Sequence, residues 1–388
     1  MENVWTIENV WNAIGMALQN WLAGFLPAWL VTLIMDLLVI VVLLAIGIVA
    51  VLILSFLERK VAARAGDRYG PNRWGPYGVL QPFADAIKML IKEDIVPHVA
   101  DRFSFNLAPV IVTVGAVMTY AVLPFGRNMV AANLNIGILY FAAVGSLSII
   151  GLLTAGWGSR NKYALISAFR SVAQLITYEV PLALCIICVV MLAGSLSTQD
   201  IVLAQQERGW FFLLMPGIFI LYFLAASAEM IRCPFDLLEA DSEIVAGHFI
   251  EYSGMKFALF FLAEYIHLFA GSAMMVTLFF GGWLGPWLPS WLWFLIKTFV
   301  VIFVFMWIRN TFPRIRIDQV LKIGWKVMVP AGLVGLAITG FVDKLIADTL
   351  IAGVVLFVCN IALIVGVSYF MGRAQRQKEM AAEGAALR

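Results

Sequence analysis

The chain has few charged residues and few cysteines, and each scarcity excludes a class of protein. Charged residues make up 13% of the 388 residues, hydrophobic residues make up 62%, and the mean hydropathy is +0.93. A chain this apolar does not fold as a water-soluble domain. The four cysteines are too few and too scattered for a disulfide framework, a zinc site or an iron–sulfur cluster. The composition therefore predicts an all-α polytopic membrane protein.

Lysine and arginine are absent from the first 28 residues, so this stretch lacks the positive region of a signal peptide. The first 29 residues contain Trp5, Trp11, Trp21 and Trp29 instead. Tryptophan favours the boundary between lipid and water. We therefore expect residues 1–29 to form an interfacial segment on the outer surface of the membrane.

Hydropathy predicts about nine membrane spans by the criterion of about 20 apolar residues. Their approximate cores are Met35–Leu57, Leu107–Pro124, Ile136–Ala155, Leu175–Ala193, Phe211–Met230, Phe257–Phe280, Trp291–Ile308, Gly324–Val342 and Ile346–Phe370. Nothing in the pattern requires a second domain, so we expect residues 1–388 to form a single membrane domain.

The positive charges fall mainly on one side of these predicted spans. Of the 26 lysines and arginines, 22 lie in the C-terminal tail or in loops that follow odd-numbered spans, with Lys326, at the start of the eighth span, counted with its loop. The positive-inside rule then predicts that the N-terminus lies outside and that the tail and odd-numbered loops are cytoplasmic. Two of these loops are prominent, residues 58–104 (the first loop) and residues 231–256 (the acidic loop).

The acidic loop and its flanks concentrate carboxylates. Six of the 24 acidic residues lie between Glu229 and Glu251. Pro234 is suited to the first turn of a helix, and on such a helix Asp236, Glu239 and Glu243 face away from an apolar stripe. Like charges near ~5 Å repel by roughly 3 kcal/mol at an effective dielectric of about 20, so close carboxylates share protons. The alternative is a solvated acidic helix, the usual explanation of a charge run.

The first loop contains a turn-rich run from Gly66 to Gly78, whose Gly and Pro content predicts tight turns. No Gly-Lys-Ser/Thr follows, so this run is not a phosphate loop. From Val79 to Ile91 apolar residues recur at helical spacing opposite Asp85, Lys88 and Lys92. This pattern predicts an amphipathic helix on the membrane surface.

The ionisable residues of interest within the predicted spans are Asp36, Glu179, Glu229, Glu264, His267 and Lys297. A charge at the centre of a spanning helix costs about 2.5–3.5 kcal/mol, so such residues are functional candidates. Glu179, Glu229 and Glu264 are predicted at a similar depth, near the acidic loop. Their shared depth favours one connected polar path.

Several motifs resemble one known family, in the order in which they occur there. They are Glu58-Arg59-Lys60, the run from Arg68 to Arg73, the run from Gly75 to Lys88, Lys92-Glu93-Asp94, Tyr178-Glu179-Val180-Pro181, Pro234-Phe235-Asp236-Leu237, the run from Glu251 to Phe260, and Ala263-Glu264-Tyr265. From about Leu54 to Pro330 the chain resembles the H subunit of the proton-pumping NADH-quinone oxidoreductase of bacterial cytoplasmic membranes, respiratory complex I.

The resemblance implies a protein whose cytoplasmic loops, together with partner subunits, form a quinone chamber. The residues implied at the chamber are Glu58, Arg59, Arg68, Asp85, Arg232 and Phe235. The residues implied in an acidic proton path are Glu179, Glu229, Asp236, Glu239, Asp241, Glu243, Glu251 and Glu264. Quinone is the implied substrate, and FMN and iron–sulfur clusters are implied only in partner subunits, since this chain has no motif for them. The implied partners are peripheral-arm subunits at the quinone site, small membrane subunits and lipid, without nucleic acid.

The chain departs from the family pattern in three places. Ile231 replaces the usual Asn before Arg232, Asp241 replaces a usual Glu, and residues 346–370 form a ninth span beyond the usual eight. Neither substitution breaks the implied acidic path. We expect the extra span to serve packing.

Two other functions are compatible with the pattern. The first is the membrane anchor of a proton-translocating hydrogenase, in which the same acids carry protons without quinone. The second is a stand-alone secondary transporter. Transporters of that kind usually contain an internal repeat with broken helices, and none is evident in this sequence.

Overall fold

A computed structural model describes residues 7–127, 129–237, 241–346 and 349–386. Within these ranges the repetitive secondary structure is helical throughout. The α-helices are α1 Ile7–Ala23, α2 Ala28–Ala65, α3 Gln81–Ile91, α4 Arg102–Met118, α5 Gly137–Gly145, α6 Leu147–Gly158, α7 Lys162–Ala193, α8 Thr198–Arg208, α9 Phe211–Leu214, α10 Pro216–Glu229, α11 Asp241–Ile244, α12 Gly254–Phe279, α13 Ser290–Thr311, α14 Ile317–Ile323, α15 Val329–Leu345 and α16 Thr349–Ala386. Shorter helical elements lie at Pro76–Gly78, Thr119–Val122, Gly247–Phe249 and, as a π-helix, Gly324–Met328.

Eight helical segments in the described ranges are long and apolar enough to cross a membrane. A ninth apolar helix, α10, has only 14 residues and lies where the fifth span was predicted. At 1.5 Å per residue α10 is about 21 Å long, shorter than the hydrocarbon core. The predicted all-α membrane fold is confirmed, with one span shorter than its hydropathy indicated.

Helices α7 and α12 form the centre of the bundle. Helix α7 packs against α6, α10 and α15, and α12 packs against α2, α4 and α13. In the most apolar stretch of α12, 67% of the residues are buried, whereas only 17% are buried in the corresponding stretch of the last span. The C-terminal span is therefore peripheral, whereas α7 and α12, which carry Glu179 and Glu264, are central.

The first loop follows its prediction. The turn-rich run contains left-handed backbone at Gly75 and Gly78, and a Cβ on Gly78 would lie 2.1 Å from the carbonyl oxygen of Pro71. The predicted amphipathic helix is α3, whose Phe83 and Ile87 are half exposed and whose Leu90 is 64% exposed. An apolar helix face open in this way fits contact with lipid or with another chain.

The continuous helix predicted from Pro234 is wrong. After Pro234 the chain turns, and the described part of the acidic loop contains only the four-residue α11 and the 3₁₀ turn at Gly247–Phe249. Val245 has φ +63°, a left-handed value that ends a helix and is costly for a β-branched residue. Tyr252 anchors the end of the loop, since its ring stacks on Phe105 at 4.1 Å and its hydroxyl donates to the Phe105 carbonyl.

The extra C-terminal helix α16 holds the beginning of α10. The Ile218 N–H lies in the first turn of α10, where N–H groups lack helical partners, and it donates to Asn360 Oδ1 at 3.2 Å. A Cβ on Gly217 would lie 2.9 Å from both oxygens of Asn360. Helix α16 therefore both caps α10 and fits closely against it.

Asn360→Leu is expected to destabilise the protein by about 1–3 kcal/mol, because it leaves the buried Ile218 N–H without an acceptor. The midpoint of thermal unfolding of the purified protein in detergent measures this effect. Val358→Leu, on the exposed face of the same helix, is the control and should not change the midpoint. An unchanged midpoint for Asn360→Leu would show that this contact contributes nothing to stability.

Candidate functional site: a buried charge cluster beside a polar cavity

Arg232, directly after α10, joins two carboxylates from different membrane helices. Its Nη1 lies 2.9 and 3.0 Å from the two carboxylate oxygens of Glu58 in α2. Its Nη2 lies 3.1 Å from Oε1 of Glu264 in α12. The arginine is only 4% exposed and also stacks over the Tyr265 ring at 5.0 Å. A single buried guanidinium thus fixes the relative positions of α2 and α12 at this depth.

Two further arginines complete this group. Arg309, near the end of α13, contacts Glu58, and Arg314 Nη2 lies 3.0 Å from Oδ2 of Asp236. We call the set of three arginines and three acids the charge cluster: Glu58, Arg232, Asp236, Glu264, Arg309 and Arg314. The formal charges balance, as buried ionic groups require.

A cavity of about 80 Å³ lies beside the charge cluster. Two acids and two histidines line it, Glu229 from α10, Glu264 and His267 from α12, and His248 from the acidic loop. The rest of the lining is mainly apolar and comes from α4, α5, α6, α10 and α12. Glu264 therefore belongs both to the charge cluster and to the wall of the cavity.

Glu229, at the end of α10, lines this cavity, and Glu179 of α7 lies near Glu229. Oε1 of Glu229 faces Gly145 of α5, 3.7 Å from the position of a Cβ there. Glu179, half-buried in α7, is close enough for its charge to interact with that of Glu229. The structure thus brings the three predicted intramembrane acids into one region.

Two of the remaining predicted acids, Glu243 and Glu251, have partners of their own. Glu243 Oε2 lies 2.5 Å from Nη2 of Arg170, and Glu251 accepts a hydrogen bond of 2.7 Å from Asn161. Glu239 lies outside the described residues, and Asp241 begins α11. The partners of Glu243 and Glu251 come from distant parts of the chain, which the local sequence does not reveal.

The predicted chamber residues of the first loop lie nearer the surface. Arg59 Nη1 is 2.5 Å from Oδ2 of Asp85 in α3, so this pair ties α3 to α2 one residue beyond Glu58. Arg68 is exposed. Phe235 is 3% exposed and packs on Tyr178 at 5.3 Å, so it belongs to the core beneath the acidic loop.

Sequence reasoning did not select His248, Arg170, Arg309 or Arg314 for the site. The arginines lie 73 or more residues from their acidic partners, apart from any local motif. Burial lowers the pKa of His248 to about 3, so its ring is neutral at physiological pH. Within the described ranges, no group of three or more His, Cys, Asp and Glu side chains is arranged to hold a metal ion.

The fold and the site together define a multi-pass helical membrane protein with ionisable groups buried at one end of its bundle. The family described as NADH dehydrogenase matches residues 37–340. The chain is 49% identical over 334 residues to the NADH-quinone oxidoreductase H subunit of Dehalococcoides mccartyi strain CBDB1, a match that covers 86% of this chain and 94% of the relative. It is 47% identical to the H subunit of Carboxydothermus hydrogenoformans, with 86% and 97% covered, and 43% identical to that of Polaromonas naphthalenivorans, with 83% and 94% covered. The chain belongs to the family of NADH-quinone oxidoreductase H subunits.

Proposed function

We propose that this chain helps to form a quinone chamber at its cytoplasmic loops and couples quinone reduction to proton translocation through its buried carboxyl groups. One observation carries the proposal: Glu264 is held by Arg232 on one side and lines the cavity shared with Glu229 on the other. A change of charge at the loops therefore acts, through Arg232 and Glu264, on the acidic groups in the membrane interior.

Quinone reduction consumes two electrons and two protons. The names of the relatives include NADH and quinone, and we extend both to this chain as part of the proposal. The electrons reach the quinone from FMN and iron–sulfur clusters in peripheral-arm subunits. This chain supplies part of the chamber wall and the groups that respond to the charge of the quinone head.

The chamber lies outside the charge cluster, where the first loop meets the acidic loop. A quinone needs an apolar passage for its tail and a few polar groups for its head. The apolar face of α3 is open, and the Arg59–Asp85 pair and Arg68 lie on the same loop. Arg232 is more deeply buried than these charged residues. Phe235 packs in the core beneath the acidic loop.

Negative charge developing on the quinone head attracts Arg232 and weakens its hold on Glu264. The proton affinity of Glu264 then rises, because a nearby cation is what favours the ionised form of a carboxyl group. A proton moves through the cavity between Glu264 and Glu229. Glu179, whose charge interacts with that of Glu229, is the next group on the route to neighbouring membrane subunits. Asp236, Glu239, Asp241, Glu243 and Glu251 supply protons from the loop side.

The positive-inside distribution supports a cytoplasmic position for these loops and an outer position for the N-terminus. In that orientation the charge cluster lies beneath the cytoplasmic surface of a bacterial inner membrane. Peripheral-arm subunits then cover the first loop and the acidic loop, and lipid contacts α2 and α16.

Co-purification from solubilised membranes tests this function. A tagged chain is expected to bring flavin and iron–sulfur subunits with it, and the preparation is expected to reduce a quinone analogue with NADH. The matched control is the tagged chain purified alone in liposomes, which should move no protons. Hydrogen evolution without quinone reduction would favour a hydrogenase anchor, and proton flux by the lone chain would favour a transporter. Either result would contradict the proposal.

A further inference from the structure

His248 is a buried histidine whose ring has no hydrogen-bond partner among the described residues. It lies in the 3₁₀ turn of the acidic loop and is 1% exposed. Both Nδ1 and Nε2 are left without a partner in this part of the chain. The ring packs on Phe249 and, edge to face at 5.2 Å, on Phe260. Buried polar groups are nearly always satisfied by protein or by water, so this ring calls for a ligand.

His248 is one of the residues that line the cavity beside the charge cluster. His267 lines the same cavity, and its buried Nε2 also lacks a hydrogen-bond partner within the described ranges. The two imidazoles lie with Glu229 and Glu264 around this single space. One imidazole comes from the acidic loop and the other from α12, on which Glu264 lies one turn earlier.

The chemistry of the lining favours water as the occupant. Empty cavities in proteins are apolar, whereas a buried water needs a polar site and two to four hydrogen-bonding partners. A neutral imidazole offers one N–H donor and one acceptor nitrogen. About 80 Å³ is enough space for several water molecules.

We propose that His248 and His267 bind a cluster of water molecules in this cavity, and that His248 positions the water through which a proton passes between Glu264 and Glu229. This inference rests on the proposed function of the two acids. Because His248 belongs to the acidic loop, the arrangement makes the hydration of the path depend on the position of that loop.

His248→Phe and His248→Gln in the intact assembled complex test the inference. Phenylalanine keeps a ring in the site but removes both nitrogens, whereas glutamine keeps a donor and an acceptor. His248→Phe is expected to lower NADH-driven proton translocation about tenfold or more, and His248→Gln is expected to restore at least half of it. Met255→Leu, at an exposed position at the start of α12, is the control and should leave transport unchanged.

Infrared difference spectroscopy supplies a measurement that a purely structural role would not change. The carboxyl C=O band of the buried acids should shift to higher frequency in His248→Phe, as water is lost, and should keep its position in His248→Gln. Equal defects in both variants, or full activity with an unshifted band in His248→Phe, would overturn the inference. If His248→Phe fails to assemble, His267→Phe is measured in the same way and must give the same transport loss and band shift.

Glu229→Gln in the same preparation separates this inference from the proposed function. If that variant translocates protons normally, the acid path itself is rejected. If it is inactive while His248→Phe is fully active, only the water site is rejected.

Discussion

Arg232→Leu is expected to destabilise the protein strongly and to abolish NADH-quinone activity in the assembled complex. Leucine leaves Glu264 without the cation at 3.1 Å, whereas Glu58 keeps its contact with Arg309. Removing one partner of a buried ion pair costs about 3–5 kcal/mol, because the other charge stays buried without compensation. Thermal unfolding of the purified protein measures the stability, and quinone-analogue reduction measures the activity.

Arg208→Leu is the matched control for that experiment. Arg208 pairs with Asp343 at 3.0 Å, but both side chains are more than one third exposed. A surface ion pair contributes about 0–1 kcal/mol, so its loss should be barely measurable. Arg232→Lys should be intermediate, since one ammonium keeps the charge but does not reproduce a fork that reaches Glu58 and Glu264 through different nitrogens.

A double variant isolates the contact between Arg232 and Glu264. If the cost of Arg232→Leu comes from an unpaired carboxylate, Glu264→Gln in the same chain removes that charge and should recover part of the lost stability. No recovery in the double variant would mean that the arginine acts through other contacts, such as those with Glu58 and Tyr265.

The membrane helices could be predicted from the sequence because each depends on a local property. A run of about 20 apolar residues forms a helix in lipid whatever surrounds it, since every backbone N–H and C=O must be paired there. The amphipathic helix of the first loop, α3, could also be predicted because its apolar spacing is a local pattern. The short α10 was less predictable, because Pro216 begins a new helix inside one apolar run and its missing N–H suits that first position.

The acidic loop could not be predicted because its conformation depends on partners far away in the sequence. Its spacing favoured a helix, but Asp236 pairs with Arg314 and Glu243 pairs with Arg170. These two arginines lie 78 and 73 residues away from the acids in the sequence, so no local pattern reveals them. The intramembrane acids were found because a carboxylate in an apolar run is conspicuous. His248 was missed because a histidine in a polar loop is ordinary until its burial is known.

Glu229→Gln is expected to abolish proton translocation while leaving the fold intact. Glutamine has nearly the size of glutamate and retains hydrogen bonding, but it cannot bind and release a proton. Because the carboxyl group lines the cavity shared with Glu264 and packs against Gly145, the replacement should fit without repacking. The measurement is NADH-driven acidification of proteoliposomes, expected to fall by about 100-fold or more. Glu207→Gln, at an exposed position in α8, is the control and should have no effect.

The results of Glu229→Gln and Arg232→Leu together test where the coupling occurs. Arg232→Leu acts through the charge cluster and should reduce both stability and catalysis, whereas Glu229→Gln should reduce proton translocation without lowering the unfolding midpoint. Glu229→Asp keeps a titratable group but shortens it by one methylene, so it should retain part of the transport. Unaltered transport in Glu229→Gln would mean that protons bypass the cavity, and the link from Arg232 through Glu264 to Glu229 would then serve only to hold the helices together.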